Sequence, residues 1–125
     1  MTILIDSDIL IEVSRGSDKA IVSRWLELSR SDSLLLISAV SVAELWAGAR
    51  PSEYRTLDAL FEALNCVAAD ARVGRLAGEY MRRYRKSHAV ELGDALIAST
   101  AVTSGARLWT RNRKHYPMSE LALYE

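Results

Sequence analysis

Short apolar runs separated by segments of helical period constrain this chain more than any other feature. Residues 2–5, 34–37, 65–68 and 107–110 read as strands, bounded by turn residues, and their apolar content is continuous rather than alternating. A strand that is apolar on both faces has to be covered on both faces. That condition is met by a parallel sheet between two helical layers. Residues 121–124 suggest a short fifth strand. The expected class is therefore α/β, a three-layer α/β/α sandwich with a mostly parallel sheet of four to five strands. Residues 1–125 form a single domain, since no linker-like stretch or internal repeat interrupts the pattern.

The segments between the strands carry helix punctuation. Gly16 ends the first helix, and Ser17-Asp18 caps the second. Ser41 opens a third, and Pro51 stands at the start of a fourth. Asp70 caps a long helix running to about Lys86, and a last one runs from Leu92 to about Thr103, stopped by Ser104-Gly105. Cys66 is the chain's one cysteine, so a disulfide scaffold is excluded, and it reads as a buried strand residue. With half its residues apolar the chain is not a disordered segment. The N-terminus is apolar but carries Asp6, Asp8 and Glu12 and no basic residue before them, the opposite of a secretion signal. No stretch is apolar for long enough to span a membrane. A cytoplasmic protein with no membrane partner is expected.

In open parallel sheets ligands bind beyond the carboxyl ends of the strands, near the point where strand order reverses. Attention falls on the polar residues that end strands or begin the next helix. Asp6 ends the first strand. Glu44 lies in the first turn of the helix after the second, and Asp94 in the first turn of the helix before the fourth. Thr110 and Asn112 follow the fourth. Each acid has a structural explanation on its own. Asp6 or Asp8 can cap the first helix, Ser41-x-x-Glu44 fits a capping box, and Asp94 complements a helix dipole. Together they read differently. Carboxylates gathered at one sheet end repel one another unless a cation neutralises them. Mg²⁺ or Mn²⁺ suits an all-oxygen set, whereas the lack of Cys or His at these positions argues against zinc.

Four segments in order resemble the PIN-domain family, and within it the VapC-type toxins of toxin–antitoxin systems. They are Ile3-Leu4-Ile5-Asp6-Ser7-Asp8-Ile9-Leu10-Ile11, Ser38-Ala39-Val40-Ser41-Val42-Ala43-Glu44-Leu45-Trp46-Ala47-Gly48, Asp94-Ala95-Leu96-Ile97-Ala98-Ser99-Thr100-Ala101, and Leu108-Trp109-Thr110-Arg111-Asn112-Arg113-Lys114-His115-Tyr116. The resemblance spans nearly the whole chain. It implies a PIN fold, a Mg²⁺- or Mn²⁺-dependent endoribonuclease acting as a toxin, and a VapB-type antitoxin as partner, with homodimers common. It also implies that Asp6 and Asp94 are the principal metal-binding acids and that Glu44 completes the cluster. Thr110 and Asn112 match the fourth motif, where many PIN proteins carry a further Asp. Asn112 brings no charge, so one tightly held ion is expected. Hydrolysis of an RNA phosphodiester by activated water would engage Asp6, Glu44, Asp94 and Asn112, with Ser7 and Thr110 supporting them. Asp8 reads as a cap rather than a ligand.

The formal net charge is zero, but its distribution is uneven. Residues 1–70 hold eleven acids and six bases, and residues 71–125 hold five acids and ten bases. A polyanionic substrate needs a basic rim around an acidic centre. Arg111, Arg113 and Lys114 are placed for it by sequence, ahead of the basic face of the long helix, which an ordinary solvated surface also explains. His88 and His115 read as loop or surface residues. Trp46 and Tyr54 flank Pro51 and suggest a dimer or antitoxin surface. An alternative to the nuclease is a catalytically weak PIN-like module that binds RNA or protein. A phosphoacceptor signalling domain fits less well, because no Lys ends the fourth strand.

Overall fold

The computed structural model describes residues 1–125. Four parallel strands form the sheet: β1 (Thr2–Ile5), β2 (Leu34–Ser38), β3 (Asn65–Val67) and β4 (Arg107–Trp109), in the order β3-β2-β1-β4. Six helices flank it: α1 (Ser7–Arg15), α2 (Lys19–Ser29), α3 (Ala39–Ala47), α4 (Tyr54–Ala63), α5 (Ala71–His88) and α6 (Leu92–Thr103). A single 3-10 turn, Pro51–Glu53, leads into α4, and another, Arg113–His115, follows β4. The three-layer sandwich expected from the apolar runs is the observed architecture.

Alternation along the strands splits the core in two. Leu4, Leu36 and Leu108 point to one face and pack with Ala77 and Tyr80 of α5 and Ala95, Ala98 and Ala101 of α6. Ile3, Ile5, Leu35, Ile37 and Trp109 point to the other, against Ile9 and Leu10 of α1, Ile21 of α2, Leu45 of α3 and Leu57 of α4. Helix α6 is apolar nearly all round and its small residues are buried, which lets α5 and the sheet close on it from both sides.

Three local expectations are corrected. The fifth strand reduces to one parallel bridge, Leu108 with Leu123, supported by bonds from Leu108 N–H to Ala122 O and from Tyr124 N–H to Leu108 O. Cys66 is exposed, because β3 is a short edge strand with open flanks. Helix α3 begins at Ala39, not Ser41. Its cap is Ser38, whose Oγ accepts from the Val40 amide at 3.1 Å. Glu44 therefore lies in the second turn of α3, and the capping box is absent.

The strand order sets the location of any site. From β1 the chain adds β2 and then β3 on one side, and later places β4 on the other. The switch point lies between β1 and β4. Asp6 leaves β1 there and Thr110 leaves β4 there, and the Asp6 amide donates to Trp109 O at 2.9 Å.

Candidate active site

Asp6 is both the end of β1 and the N-cap of α1. Its carboxylate is nearly buried, at 6 % exposure, and three donors hold it. Ser7 N–H reaches Oδ1 at 2.8 Å, while Thr110 Oγ1–H and Tyr116 O–H reach Oδ2 at 2.8 and 3.0 Å. Burial raises the Asp6 pKa above the usual carboxylate value. The three donors oppose that shift, and the charge of Asp94 adds to it. Tyr116 is pushed far above its ordinary pKa, first by burial and then by the negative charges of Asp6, Asp94 and Asp8. Its hydroxyl therefore stays protonated and serves as a donor.

Asp8 is not the cap. In the first turn of α1, it turns back toward the β4 end, where Oδ2 accepts from the Arg111 amide at 3.0 Å and lies 3.4 Å from Thr110 Oγ1, whose proton goes to Asp6. Its Oδ1 is buried without a hydrogen-bond partner. Burial, and then the charge of Asp6, raise the Asp8 pKa; Arg111 pulls the other way. A buried acid and a half-buried one two residues apart, the second with an orphaned oxygen, form an acidic pair that their protein partners leave incompletely compensated.

Glu44 meets this pair from α3. Ser7 Oγ–H donates to Glu44 Oε1 at 2.7 Å and lies 2.9 Å from the buried Ser41 Oγ. Ser41 thus gives up the capping role for a bond to the residue after Asp6. Glu44 Oε2 lies 3.6 Å from where a Cβ on Gly93 would sit, so it overhangs the start of α6 one residue before Asp94. Asp94 sits in the first turn of α6, with Oδ2 3.2 Å from His115 Nδ1. Beside these groups, Ser7, Asp8, Arg15, Glu44 and Gly48 line an open groove of about 270 Å³.

The predicted acids thus divide into three adjoining sets: Asp6 with Asp8, Thr110 and Tyr116; Glu44 with Ser7; and Asp94 with His115. No three His, Cys, Asp or Glu side chains are close enough to form one ready ligand set. Asn112 is tied through its backbone, its N–H donating to Thr110 Oγ1 at 3.0 Å.

Two of the three residues of the predicted basic rim form ion pairs within the chain. Arg111 is bound to the protein, pairing with Glu12 and donating to Asp8 O, with Asp18 at 3.9 Å. Arg113 pairs with Glu125 at 2.8 Å. Of the three, Lys114 alone makes no ion pair. Sequence reasoning missed Tyr116 and the contact of His115 with Asp94. Neither carries a periodicity or spacing signal, since both are placed by the irregular chain after β4. Trp46 and Tyr54 stack with centroids 4.5 Å apart and remain partly exposed, as a surface role requires.

An acid-lined switch point beyond the carboxyl ends of a parallel sheet is where α/β proteins of this class bind their ligands. The PIN domain family model matches residues 3–121, and the chain belongs to that family. Over 120 residues it is 44% identical to Ribonuclease VapC10 of Mycobacterium tuberculosis, covering 94% of this chain and 88% of that one. Ribonuclease VapC19 of the same organism is 37% identical over 116 residues, 92% of each chain. In three dimensions, VapBC2 from Rickettsia felis, solved bound to a promoter DNA fragment, superposes with a TM-score of 0.83 at 22% identity, covering 99% of this chain and 98% of that one. No helix is long and apolar enough to cross a membrane.

Proposed function

We propose that this chain is a metal-dependent endoribonuclease of the VapC type, the toxin of a toxin–antitoxin pair. The observation that carries the reading is Asp6, buried at the switch point, oriented by three donors and adjoined by the orphaned Asp8 oxygen. The 44% identity to a protein named as a ribonuclease supports RNA as substrate. The VapBC neighbour supports an antitoxin of the VapB type as partner.

The donor set is all oxygen and fits a hard divalent cation, Mg²⁺ or Mn²⁺. Asp6 and Asp94 would hold it, and Glu44 would complete the set through water. When bound, such an ion supplies positive charge against the phosphoryl oxygens and eases deprotonation of water. The chain's own groups do the rest. Thr110 and Tyr116 fix Asp6 Oδ2, so the carboxylate cannot rotate away. Ser7 steers Glu44, whose second oxygen is free to orient the attacking water. Asn112 can orient a water but adds no charge.

Cleavage of a mixed cellular RNA pool, with and without Mg²⁺ or Mn²⁺, tests the reading. Wild type should cut only with metal, and Asp6→Asn and Asp94→Asn should each lose at least about a hundredfold in rate, as befits loss of a charge-stabilising group. Metal should raise the melting temperature of wild type more than that of either variant. Cleavage that survives both substitutions and a chelator would sink the carboxylate mechanism. A second reading, a PIN-fold module that binds RNA or protein without cutting, draws on the separation of the acids into adjoining sets. Tight RNA binding with no cleavage under any metal would decide for it.

A further inference from the structure

The last turn of α5 and the 3-10 turn after β4 enclose an open cleft of about 370 Å³. Its wall is Lys86, Ser87, His88, Ala89, Lys114 and His115, with no acid among them. The two lysines enter no ion pair. Arg111 and Arg113, which follow β4 with Lys114, are paired with acids of the same chain, whereas these two ammonium groups face the cleft unpaired.

The helix dipole explains only part of this. Lys86 and His88 lie at the C-terminus of α5, where cations are favoured. Lys114 and His115 come from another element, with nearly thirty residues of chain and the whole of α6 between them. The wall also contains Ala89, held at φ 52°, the one non-glycine residue of the chain at positive φ. L side chains disfavour this conformation by about 1–2 kcal/mol. This conformation is the left-handed cap that ends α5, its backbone N–H returning to Tyr84 O.

The cleft adjoins the acids directly. His115 lines it and also contacts Asp94 Oδ2 at 3.2 Å, so one imidazole separates the two. We infer that this cleft receives a backbone phosphate of single-stranded RNA next to the scissile one, gripped by Lys86 and Lys114. The inference rests on the nuclease reading for the neighbouring scissile phosphate, but not for the binding itself. Lysines act on phosphate as point charges, so the subsite reads backbone and not base sequence. It adds to the rim expected from sequence, in which Arg111 and Arg113 are each paired with an acid of the same chain.

The test is binding of a fluorescently labelled single-stranded RNA to the purified full chain in a chelator, followed across a salt series. Both lysines are exposed, so Lys86→Ala/Lys114→Ala should fold normally, as a thermal melt would verify. Its affinity should fall about tenfold, and log K against log salt should be shallower by about 0.7, the loss of one phosphate contact on a single strand. Lys86→Arg/Lys114→Arg should restore the slope, and Arg72→Ala/Arg75→Ala, at the far end of α5, should leave it unchanged. An unchanged slope in the double alanine variant overturns the inference, whether or not wild type cleaves RNA. A slope change seen only with duplex DNA also overturns it. A shallower slope on RNA, in a wild type that cuts nothing when metal is added, upholds the cleft and defeats the nuclease reading instead.

Discussion

Asp8 shows how far one carboxylate can be read. Its two-residue spacing from Asp6 suggested a helix cap, and capping is the commoner use of Asp at a helix start. Asp6 takes the cap, and Asp8 turns to Arg111 and Thr110 on a loop a hundred residues away. No local signal distinguishes the two acids, because the deciding partner is brought in by sheet topology. The geometry makes a clear prediction. In Asp8→Asn the amide oxygen can keep the bond at Oδ2, and the NH2 can occupy the place of the orphaned Oδ1. In a chelator, the native Asp8 binds its proton more tightly folded than unfolded, as does Asp6. Their stabilising effect is therefore present below the ordinary carboxylate pKa and lost as pH rises through the raised value. Asp8→Asn should flatten that loss and, near neutral pH, gain about 1 kcal/mol, read from urea midpoints across pH. A steeper pH dependence in the variant would contradict this account. Tyr116→Phe is the opposite case. It removes a buried donor from Asp6 and should cost about 1–2 kcal/mol in the same measurement.

At the scale of elements, Ala89 offers a direct test. Ala at a left-handed helix end carries a penalty that Gly avoids, while Gly adds freedom to the unfolded chain. Ala89→Gly should stabilise the fold by about 0.5–1 kcal/mol, visible as a higher thermal midpoint, and destabilisation would show that the side chain packs usefully. The elements themselves were largely legible. Apolar runs marked the strands, and Gly16, Asp18, Asp70 and Ser104-Gly105 fall where helices start or stop. The error at α3 has a physical cause. Ser38 and Ser41 are both acceptable caps, and the choice follows from Ser41 being buried against Ser7. That contact belongs to tertiary packing, which periodicity does not carry. The ion pairs within the basic rim are tertiary too, since Arg111, Arg113 and Lys114 look alike in sequence until acidic partners fold beside the two arginines.

For the whole molecule, balanced charge and uneven distribution have separate consequences. The ion pairs are at least partly exposed on one or both sides, and such pairs contribute little to stability. Raising salt from about 0.05 to about 0.5 M should change the unfolding free energy by less than about 1 kcal/mol. A larger loss in urea titrations would reveal a stabilising charge network that the geometry does not suggest. Stability instead rests on the two apolar layers either side of the sheet.

The place of β1 in that sheet has a temporal consequence. β1 precedes the other three strands and lies inside the sheet, and its second neighbour, β4, is the last of the four in chain order. Asp6 emerges from the ribosome early, but Thr110 and Tyr116, which fix its carboxylate, emerge more than a hundred residues later. A nascent polypeptide therefore has no assembled centre. If that centre cuts RNA, the messenger being translated is spared by topology alone until Thr110 and Tyr116 have left the ribosome.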